Sequence, residues 1–331
     1  MLKTFSAPTP FRVDIDSISL PVMATFILLA LLGCGRARAS NFSPIINGQA
    51  VDSTHQFPWQ VALFYSTSDV FQSQYCGGTL IDSQWIATAA HCADSKNQVY
   101  VAAGITDLSN TAGGQIRKVA HWYVHPGYDS KTLDNDIALA QLDSPIDMAA
   151  CGDLCKTISP VTQAQEPYVM PVGSNALVSG WGTTTTGGNG TFPYVLQWAQ
   201  VQIMSCTQNT SFSSTDTTGN MVCAGTANYS TDACSGDSGG PLVVANSEGT
   251  GYLLAGLVSW GNGCAVSGYP GVYTRVANYV NWIDSVEHPP TTKKKGGALD
   301  FWVLVGMLGM ALLRGPSRTA NIMPCQGQAT I

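Results

Sequence analysis

The stretch Asp232-Ala233-Cys234-Ser235-Gly236-Asp237-Ser238-Gly239-Gly240-Pro241 places a serine among glycines, with a cysteine and two aspartates ahead of it. Gly-rich polar segments are common in turns, so the stretch alone is compatible with an ordinary loop. It also fits a nucleophilic serine on a tight turn, with backbone N–H groups directed at a developing oxyanion. This second interpretation requires a histidine and a buried aspartate from elsewhere in the chain.

The length and composition of the chain favour an exported all-β protein. Its 331 residues suit one domain with processing segments, or two small domains. Charged residues make up only 11% of the chain and glycine is abundant, which suits a secreted β-protein better than a helical cytosolic one. The ten cysteines indicate an oxidising compartment.

The central part of the chain is strongly acidic. Residues 45–288 contain 6 Lys and Arg against 18 Asp and Glu, a net charge of −12, whereas the whole chain carries −6. Because there is no basic patch to meet phosphates, we expect no binding to nucleic acid. The simplest consequence of the negative charge is solubility, and a bias toward cationic substrates is a second interpretation.

The N-terminal region has the pattern of an export signal. An apolar run at residues 21–33 precedes Ala37-Arg38-Ala39, whose small residues alternate as a signal peptidase requires. The run is short for a transmembrane helix, so we predict a signal peptide over residues 1–39 and a secreted or cell-surface protein. Residues 40–44 would then form a short propeptide. Initiation at Met23 is an alternative, although that form would lack a positive n-region.

The C-terminal region is arranged like a second processing signal. Residues 289–297 are rich in Pro, Thr, Lys and Gly and predict a linker. Residues 298–314 are largely apolar and end at Arg314, and a polar tail, 315–331, follows. The Gly-Gly pair, the short apolar helix and the arginine resemble the GlyGly C-terminal sorting signal of Gram-negative bacteria. That resemblance implies a bacterial source and transient membrane association through residues 298–313; a weak membrane anchor is the alternative.

The middle of the chain contains many predicted short strands. Apolar, β-rich runs alternate with Gly, Pro, Asn and Asp, which is typical of an all-β sandwich or barrel. One helix is predicted before Pro289, because Val276, Tyr279, Val280 and Ile283 fall at helical spacing. The predicted strands include residues 59–65, 78–81, 85–89, 99–103, 137–142, 176–179, 195–203, 241–244 and 253–259.

Two further segments can supply the partners that the serine requires. Thr88-Ala89-Ala90-His91-Cys92 follows a predicted strand and places a histidine beside a cysteine. Asp134-Asn135-Asp136 immediately precedes another predicted strand. A lone histidine is more often structural, and Asp136 alone also suits a turn. The three residues together occur in the order His, Asp, Ser, which is one of the known chain orders of a catalytic triad.

Taken together, these segments resemble the trypsin/chymotrypsin family of serine proteases over residues 45–288. The resemblance implies an all-β fold of two six-stranded antiparallel β-barrels, with the active site between them and a C-terminal helix. It also implies a monomer without cofactors that acts on protein or peptide substrates and meets protein protease inhibitors. The other matching motifs are Ile45-Ile46-Asn47-Gly48, Cys76-Gly77-Gly78, Ser179-Gly180-Trp181-Gly182, Ser259-Trp260-Gly261 and Pro270-Gly271-Val272-Tyr273.

The resemblance assigns catalytic roles by position. Ser238 is the expected nucleophile, His91 the general base and then acid, and Asp136 the residue that orients the imidazole. The backbone N–H groups of Gly236 and Ser238 are the expected oxyanion hole. The mechanism is carried over from the family, residue by residue.

The resemblance also assigns a primary specificity pocket. Asp232, six residues before the nucleophile, corresponds to the acid at the pocket base, which implies cleavage after Arg or Lys. Ala233 replaces a serine often found there, so we expect a preference for Arg, whose fork reaches a carboxylate bidentately. The remaining expected substrate-binding residues are Ser259, Trp260, Gly261 and Gly271.

In this family, a zymogen is activated by a cleavage that creates a new N-terminus. The motif beginning at Ile45 matches it, and its ammonium would pair with Asp237 and order the oxyanion loop. The chain departs from the family just upstream, because Pro44 precedes Ile45 where Arg or Lys is usual. Release of Ile45 would therefore need a protease of another specificity.

The cysteines predict a disulfide framework and no metal site. Family matching pairs Cys76 with Cys92, Cys206 with Cys223, and Cys234 with Cys264. Cys151 and Cys155 have no obvious distant partner and suggest a local bridge, and the other two cysteines lie in segments that processing should remove. The spacings do not suggest zinc, and the single acid Asp107 in the loop 104–114 argues against calcium.

Two functions of other classes remain open. A catalytically inactive homologue could act as a binding module, although no triad residue is replaced. A membrane-anchored interaction protein would explain the C-terminal apolar segment but not the serine stretch.

Overall fold

The part of the chain that the structure describes coincides closely with the predicted protease domain. The computed structural model describes residues 45–52, 56–185 and 190–289. The predicted signal peptide 1–39, propeptide 40–44, apolar segment 298–314 and polar tail 315–331 lie outside the described residues, as does the predicted linker beyond Pro289. These assignments therefore stay predictions.

Six antiparallel strands in the first half of the domain close into a barrel. The strands are β2 (Gln60–Phe64), β3 (Gln74–Asp82), β4 (Trp85–Thr88), β5 (Tyr100–Ala103), β6 (Gln115–Val124) and β7 (Ala138–Leu142). Their order is β2-β3-β4-β7-β6-β5, and β5 pairs back onto β2. The interior is filled by aliphatic side chains such as Val61, Leu80 and Ile86, as expected for a small barrel that holds a core.

Six later strands form a second barrel. They are β8 (Asn175–Gly180), β9 (Gln197–Met204), β10 (Met221–Gly225), β11 (Pro241–Ala245), β12 (Tyr252–Trp260) and β13 (Gly271–Arg275). Their order is β9-β10-β13-β12-β11-β8, and β8 pairs with β9 to close the ring. The two-residue strand β1 (Gln49–Ala50) pairs with the outer side of β9. Burial alternates along β9, so its two faces meet the core and the surface in turn.

Helices are short and lie outside the barrels. They are α1 (Val70–Ser73), α2 (Met148–Cys151), α3 (Glu166–Val169) and α4 (Val280–Glu287). Within the described residues, 3₁₀ turns lie at Ala90–Cys92, Gly152–Leu154 and Val276–Tyr279. Among the residues described, none of these helices has the length and apolar character needed to cross a membrane.

A buried polar contact joins the two barrels. Ser179 in β8 donates from Oγ to Oε1 of Gln60 in β2 at 2.7 Å, and both residues are buried. Close by, the backbone N–H of Gly77 in β3 donates to the carbonyl of Ser238 at 2.8 Å. Since buried polar groups are costly unless paired, these contacts fix how the loop carrying Ser238 meets the first barrel.

The predicted fold class is confirmed. The domain consists of two closed six-stranded antiparallel β-barrels followed by a short C-terminal helix, and each predicted strand overlaps an observed one. The predicted helix begins as a 3₁₀ turn at Val276 and continues as α4. The strands β6, β10 and β13 were not among the predicted runs. The residues of β6 are polar or only partly buried along most of its length.

Among the described residues, four disulfides connect loops and turns to one another or to a strand. The pairs are Cys76–Cys92, Cys151–Cys155, Cys206–Cys223 and Cys234–Cys264. Two of them bear on the candidate site. The first links β3 to the turn that carries His91, and the last links the serine stretch to the loop after β12.

Candidate active site

Strand pairing brings His91 and Asp136 together. His91 lies in the 3₁₀ turn just after β4, and Asp136 lies two residues before β7. β4 and β7 are antiparallel partners, with Thr88 opposite Ala138, so the residues beyond these ends are adjacent. His91 Nδ1 lies 2.8 Å from Asp136 Oδ2, and the backbone N–H of His91 donates to Oδ1 at 3.0 Å.

The Asp136 carboxylate also receives a hydrogen bond from the second barrel. Ser259 in β12 donates from Oγ to Oδ2 at 2.6 Å, and Thr274 in β13 donates from Oγ1 to the Asp136 carbonyl at 2.6 Å. Asp136 is almost completely buried, with 1% of its surface exposed. A buried carboxylate is costly without hydrogen-bond donors, and here the donors come from both barrels.

The turn that carries Ser238 is held by backbone hydrogen bonds. Asp237 N–H donates to the Cys234 carbonyl at 2.9 Å, and Gly239 N–H donates to Val258 in β12 at 2.8 Å. The bond from Gly77 to the Ser238 carbonyl places the serine beside β3, next to the Cys76–Cys92 disulfide and hence beside the His91 turn. No hydrogen bond joins Ser238 Oγ to the His91 ring, both of which are described. Such bonds are often long before substrate binds.

The peptide groups on either side of Gly236 and Asp237 have their carbonyls engaged in backbone hydrogen bonds. The Ser235 carbonyl accepts from Thr183 N–H at 2.8 Å, and the Asp237 carbonyl accepts from Gly240 N–H at 2.8 Å. Because a trans peptide directs its N–H opposite to its C=O, the N–H groups of Gly236 and Ser238 point away from these contacts.

Glycine is required at position 236. Its φ of +99° is unfavourable for other residues, and a Cβ there would lie 3.0 Å from Gly182 Cα. Gln74 at the start of β3 adds a further restraint, since its Nε2 donates to the Gly236 carbonyl at 2.9 Å.

Asp237 is fully buried beneath this loop. Its Oδ1 accepts from Gly182 N–H at 2.7 Å and its Oδ2 from Cys234 N–H at 2.9 Å. Burial raises the pKa of this carboxyl to about 6 despite the two donors. Gly182 makes the approach possible, because a Cβ there would lie 2.5 Å from Asp237 Cγ. Within the described parts of the chain, Asp237 forms no ion pair.

A cavity of about 260 Å³ is lined by both Ser238 and Asp232. Asp232 is 4% exposed; its Oδ2 accepts from Ala265 N–H at 3.1 Å, whereas Oδ1 is buried with no partner. Burial raises the pKa of this carboxyl to about 7. The cavity walls include the other residues predicted for substrate binding, which are Ala233, Ser259, Trp260, Gly261 and Gly271.

Several contacts in the site were not predicted from the sequence. Ser259 was predicted only as a pocket residue, yet its hydroxyl donates to Asp136. Thr274, Gln74 and Gly182 were not assigned these contacts at all. The Ser-Trp-Gly and Gly-Trp-Gly motifs marked Ser259 and Gly182 as family matches, but no sequence signal marked Thr274 or Gln74.

Comparison with known proteins identifies related sequences. A family model described as Trypsin matches residues 45–283. The chain is 38% identical over 260 residues to Trypsin II-P29 of Gallus gallus, covering 78% of this chain and 96% of that protein. It is also 38% identical over 231 residues to Trypsin of Sus scrofa, covering 70% of this chain and 90% of that protein.

A solved structure of a serine protease also matches this chain. The structure titled "Neuropsin, a serine protease expressed in the limbic system of mouse brain" superposes with a TM-score of 0.62 at 33% identity. The alignment covers 73% of this chain and 99% of that chain. The family match, the curated relatives and the two-barrel fold agree, and the chain therefore belongs to the trypsin/chymotrypsin family of serine proteases.

Proposed function

We propose that this serine protease is an endopeptidase that hydrolyses peptide bonds after Arg or Lys. The observation that carries the proposal is the Asp232 carboxylate, which is buried and belongs to a cavity that Ser238 also lines. Its Oδ1 has no hydrogen-bond partner. A buried carboxylate is stabilised when a cation approaches it, and a substrate guanidinium or ammonium would supply that charge.

The chemistry would proceed through an acyl-enzyme. Ser238 Oγ attacks the scissile carbonyl while His91 Nε2 accepts the hydroxyl proton, and His91 then returns the proton to the leaving amine. Asp136 would hold the imidazole with its proton on Nδ1 and stabilise the imidazolium, a role that the 2.8 Å Nδ1–Oδ2 contact supports. The N–H groups of Gly236 and Ser238 would donate to the oxyanion. Water then hydrolyses the acyl-enzyme by the same route.

The shape of the cavity supports a long cationic side chain. A Cβ at Gly271 would lie 2.5 Å from Asp232 Oδ1, so a larger residue there would cover the carboxylate. Gly261 also lines the cavity and adds no side chain to it. Ala233 supplies no hydroxyl to solvate an ammonium, and we therefore expect Arg to be preferred over Lys.

Activation would follow release of Ile45. Ile45 is already buried in the second barrel, and Ile46 forms an antiparallel bridge with Asp232. Ile45 has a φ of +46°, a strained value for a β-branched residue, and a free N-terminus would lose that constraint. A free ammonium there would supply the cation that the buried Asp237 lacks.

The setting of the reaction also belongs to the proposal. We infer export through the predicted signal peptide, action at the cell surface or outside the cell, and a monomeric enzyme. Protein protease inhibitors would bind as substrates do, through the Asp232 cavity.

Substitution of the nucleophile tests the activity. Protein with Ile45 as its N-terminus is expected to cleave reporter peptides ending in Arg or Lys, with Arg favoured. Ser238→Ala should lower kcat/KM by ~10⁴-fold or more, because the covalent route is lost. The measurement is release of a fluorogenic amide, with Ser235→Ala as a neighbouring control. Binding of such peptides without turnover by correctly processed protein would instead support the inactive binding module.

The raised pKa of Asp232 predicts a pH-dependent cost. An acid whose pKa rises from 3.8 to about 7 on folding holds its proton more tightly in the folded state, so stability falls as pH rises between these values. In a Ser238→Ala background, Asp232→Asn should therefore gain relative stability from pH 4 to pH 8, by up to about 4 kcal/mol. Urea unfolding of both proteins measures the gain, and Asp143→Asn is an exposed control. An equal difference at the two pH values would contradict the burial of an ionisable Asp232.

The residue before Ile45 tests the activation scheme. A Pro44→Arg precursor would carry a bond that fits the proposed specificity, so it should activate itself with an accelerating time course. Pro44→Gln is the matched control and should stay inactive. N-terminal mass spectrometry and amide turnover are followed together. Full activity of either precursor with residue 44 still attached would exclude a role for the Ile45 ammonium.

A further inference from the structure

The residue directly before Asp136 has a left-handed backbone conformation. Asn135 has a φ of +53°, in a region that asparagine occupies more readily than most residues with a side chain. Its carbonyl accepts from the N–H of Ile137 at 2.8 Å, so residues 135–137 form a tight turn with Asp136 at its centre. The place where the Asp136 side chain leaves the backbone therefore depends on where Asn135 is held.

The side chain of Asn135 uses all of its hydrogen-bonding capacity. A primary amide has two N–H donors and an oxygen with two lone pairs. Nδ2 donates to the Gly127 carbonyl at 2.9 Å and to Asp134 Oδ2 at 3.0 Å. Oδ1 accepts from the Tyr279 hydroxyl at 3.0 Å and from Asn220 Nδ2 at 3.3 Å. Because the Gly127 carbonyl can only accept, the amide nitrogen must face it, which fixes the orientation of the amide.

The partners of this amide belong to three parts of the fold. Gly127 lies in the same β6–β7 loop as Asn135. Asn220 immediately precedes β10 of the second barrel, and Tyr279 ends the 3₁₀ turn that precedes α4. The Asn135 amide is therefore a point at which the loop carrying Asp136 is attached to the second barrel and to the turn after its last strand.

Tyr279 is a rigid anchor for the amide. It is 3% exposed, and burial raises the pKa of its phenol above the usual value, so the hydroxyl keeps its proton and donates. Its ring also packs edge-on against the His125 ring, with centroids 5.1 Å apart. His125 Nδ1 in turn accepts from the Gly127 N–H at 3.2 Å. Tyr279 thus contacts Asn135 directly and also supports the turn to which Asn135 donates.

We propose that Asn135 is a positioning residue for the reaction, because its amide, anchored by Tyr279, holds Asp136 where the carboxylate meets the His91 ring. This inference rests on the proposed function and adds a residue to its mechanism. Ser259 holds the Asp136 carboxylate and Thr274 its carbonyl, whereas Asn135 fixes the backbone on the N-terminal side. A displacement of about 1 Å in such a group can lower turnover about 100-fold.

Replacement of Asn135 by glycine tests the role of the amide. Glycine adopts the left-handed conformation without strain, so Asn135→Gly removes the side-chain hydrogen bonds and adds no steric conflict. In the matured enzyme, kcat for a fluorogenic arginyl amide should fall about 10- to 100-fold. KM should change by less than about threefold, because the substitution leaves the Asp232 cavity intact. Asn209→Gly, at an exposed asparagine with a φ of +60°, is the matched control and should keep full activity.

Removal of one hydroxyl tests the anchor. Tyr279→Phe should lower kcat about two- to tenfold, the scale of one hydrogen bond. In an Asn135→Gly background the same substitution should lower kcat by less than about twofold, because Tyr279 acts through the amide. Tyr123→Phe removes a hydroxyl that donates to the Gln141 side chain at 3.4 Å on the first barrel, and it should leave kcat unchanged. Effects of the two substitutions that simply multiply would overturn the coupling.

A spectroscopic signal separates positioning from a general loss of stability. The proton between His91 Nδ1 and Asp136 should give a downfield ¹H NMR signal that moves upfield or is lost in Asn135→Gly. Tyr279→Phe carries the same comparison if the glycine variant does not fold. An unchanged kcat or an unchanged proton signal in a variant that only melts at a lower temperature would overturn the positioning role alone. Failure of the unsubstituted matured enzyme to cleave the amide would overturn the proposed function, and this inference with it.

Discussion

The Asp136 carboxylate is the constraint on which the two-barrel arrangement depends. It is buried, so its oxygens need hydrogen-bond donors, and the donors it has come from both barrels. The first barrel contributes the His91 backbone and ring, and the second contributes Ser259, while Thr274 holds the Asp136 carbonyl. Satisfying one carboxylate therefore sets the relative position of β7, β12 and the His91 turn.

Two other buried carboxylates, Asp232 and Asp237, lie in the stretch around Ser238, and their surroundings differ from those of Asp136. Asp136 is fully provided with donors, whereas Asp232 and Asp237 have raised pKa values and no cation in the described part of the chain. Each would be stabilised by a positive charge from outside the folded domain, a substrate side chain in one case and a released N-terminus in the other. Under the proposed function, ionisation of these two acids would be linked to substrate binding and to maturation.

Sequence patterns predicted the parts of this arrangement that are local. The strand runs, the C-terminal helix and the order of His91, Asp136 and Ser238 all depend on short segments. The contacts that orient them are not local: Gln74 lies 162 residues from Gly236, and Ser259 lies 123 residues from Asp136. The stacking of Phe71 on Tyr194 was missed for the same reason, since the two rings meet only in the folded chain. β6 was missed because its polar faces conceal the alternation of a strand.

The central claim is that Asp136 fixes the tautomer of the His91 ring. Measuring that tautomer tests the claim most directly. Nitrogen-15 NMR of the matured protein with labelled histidine reports which ring nitrogen carries the proton, and His91→Gln identifies the signals. At about pH 9, where an ordinary imidazole is neutral, we expect the His91 ring to carry a proton on Nδ1 and none on Nε2. A proton on Nε2 would contradict it, since Nε2 could not then accept the proton of Ser238.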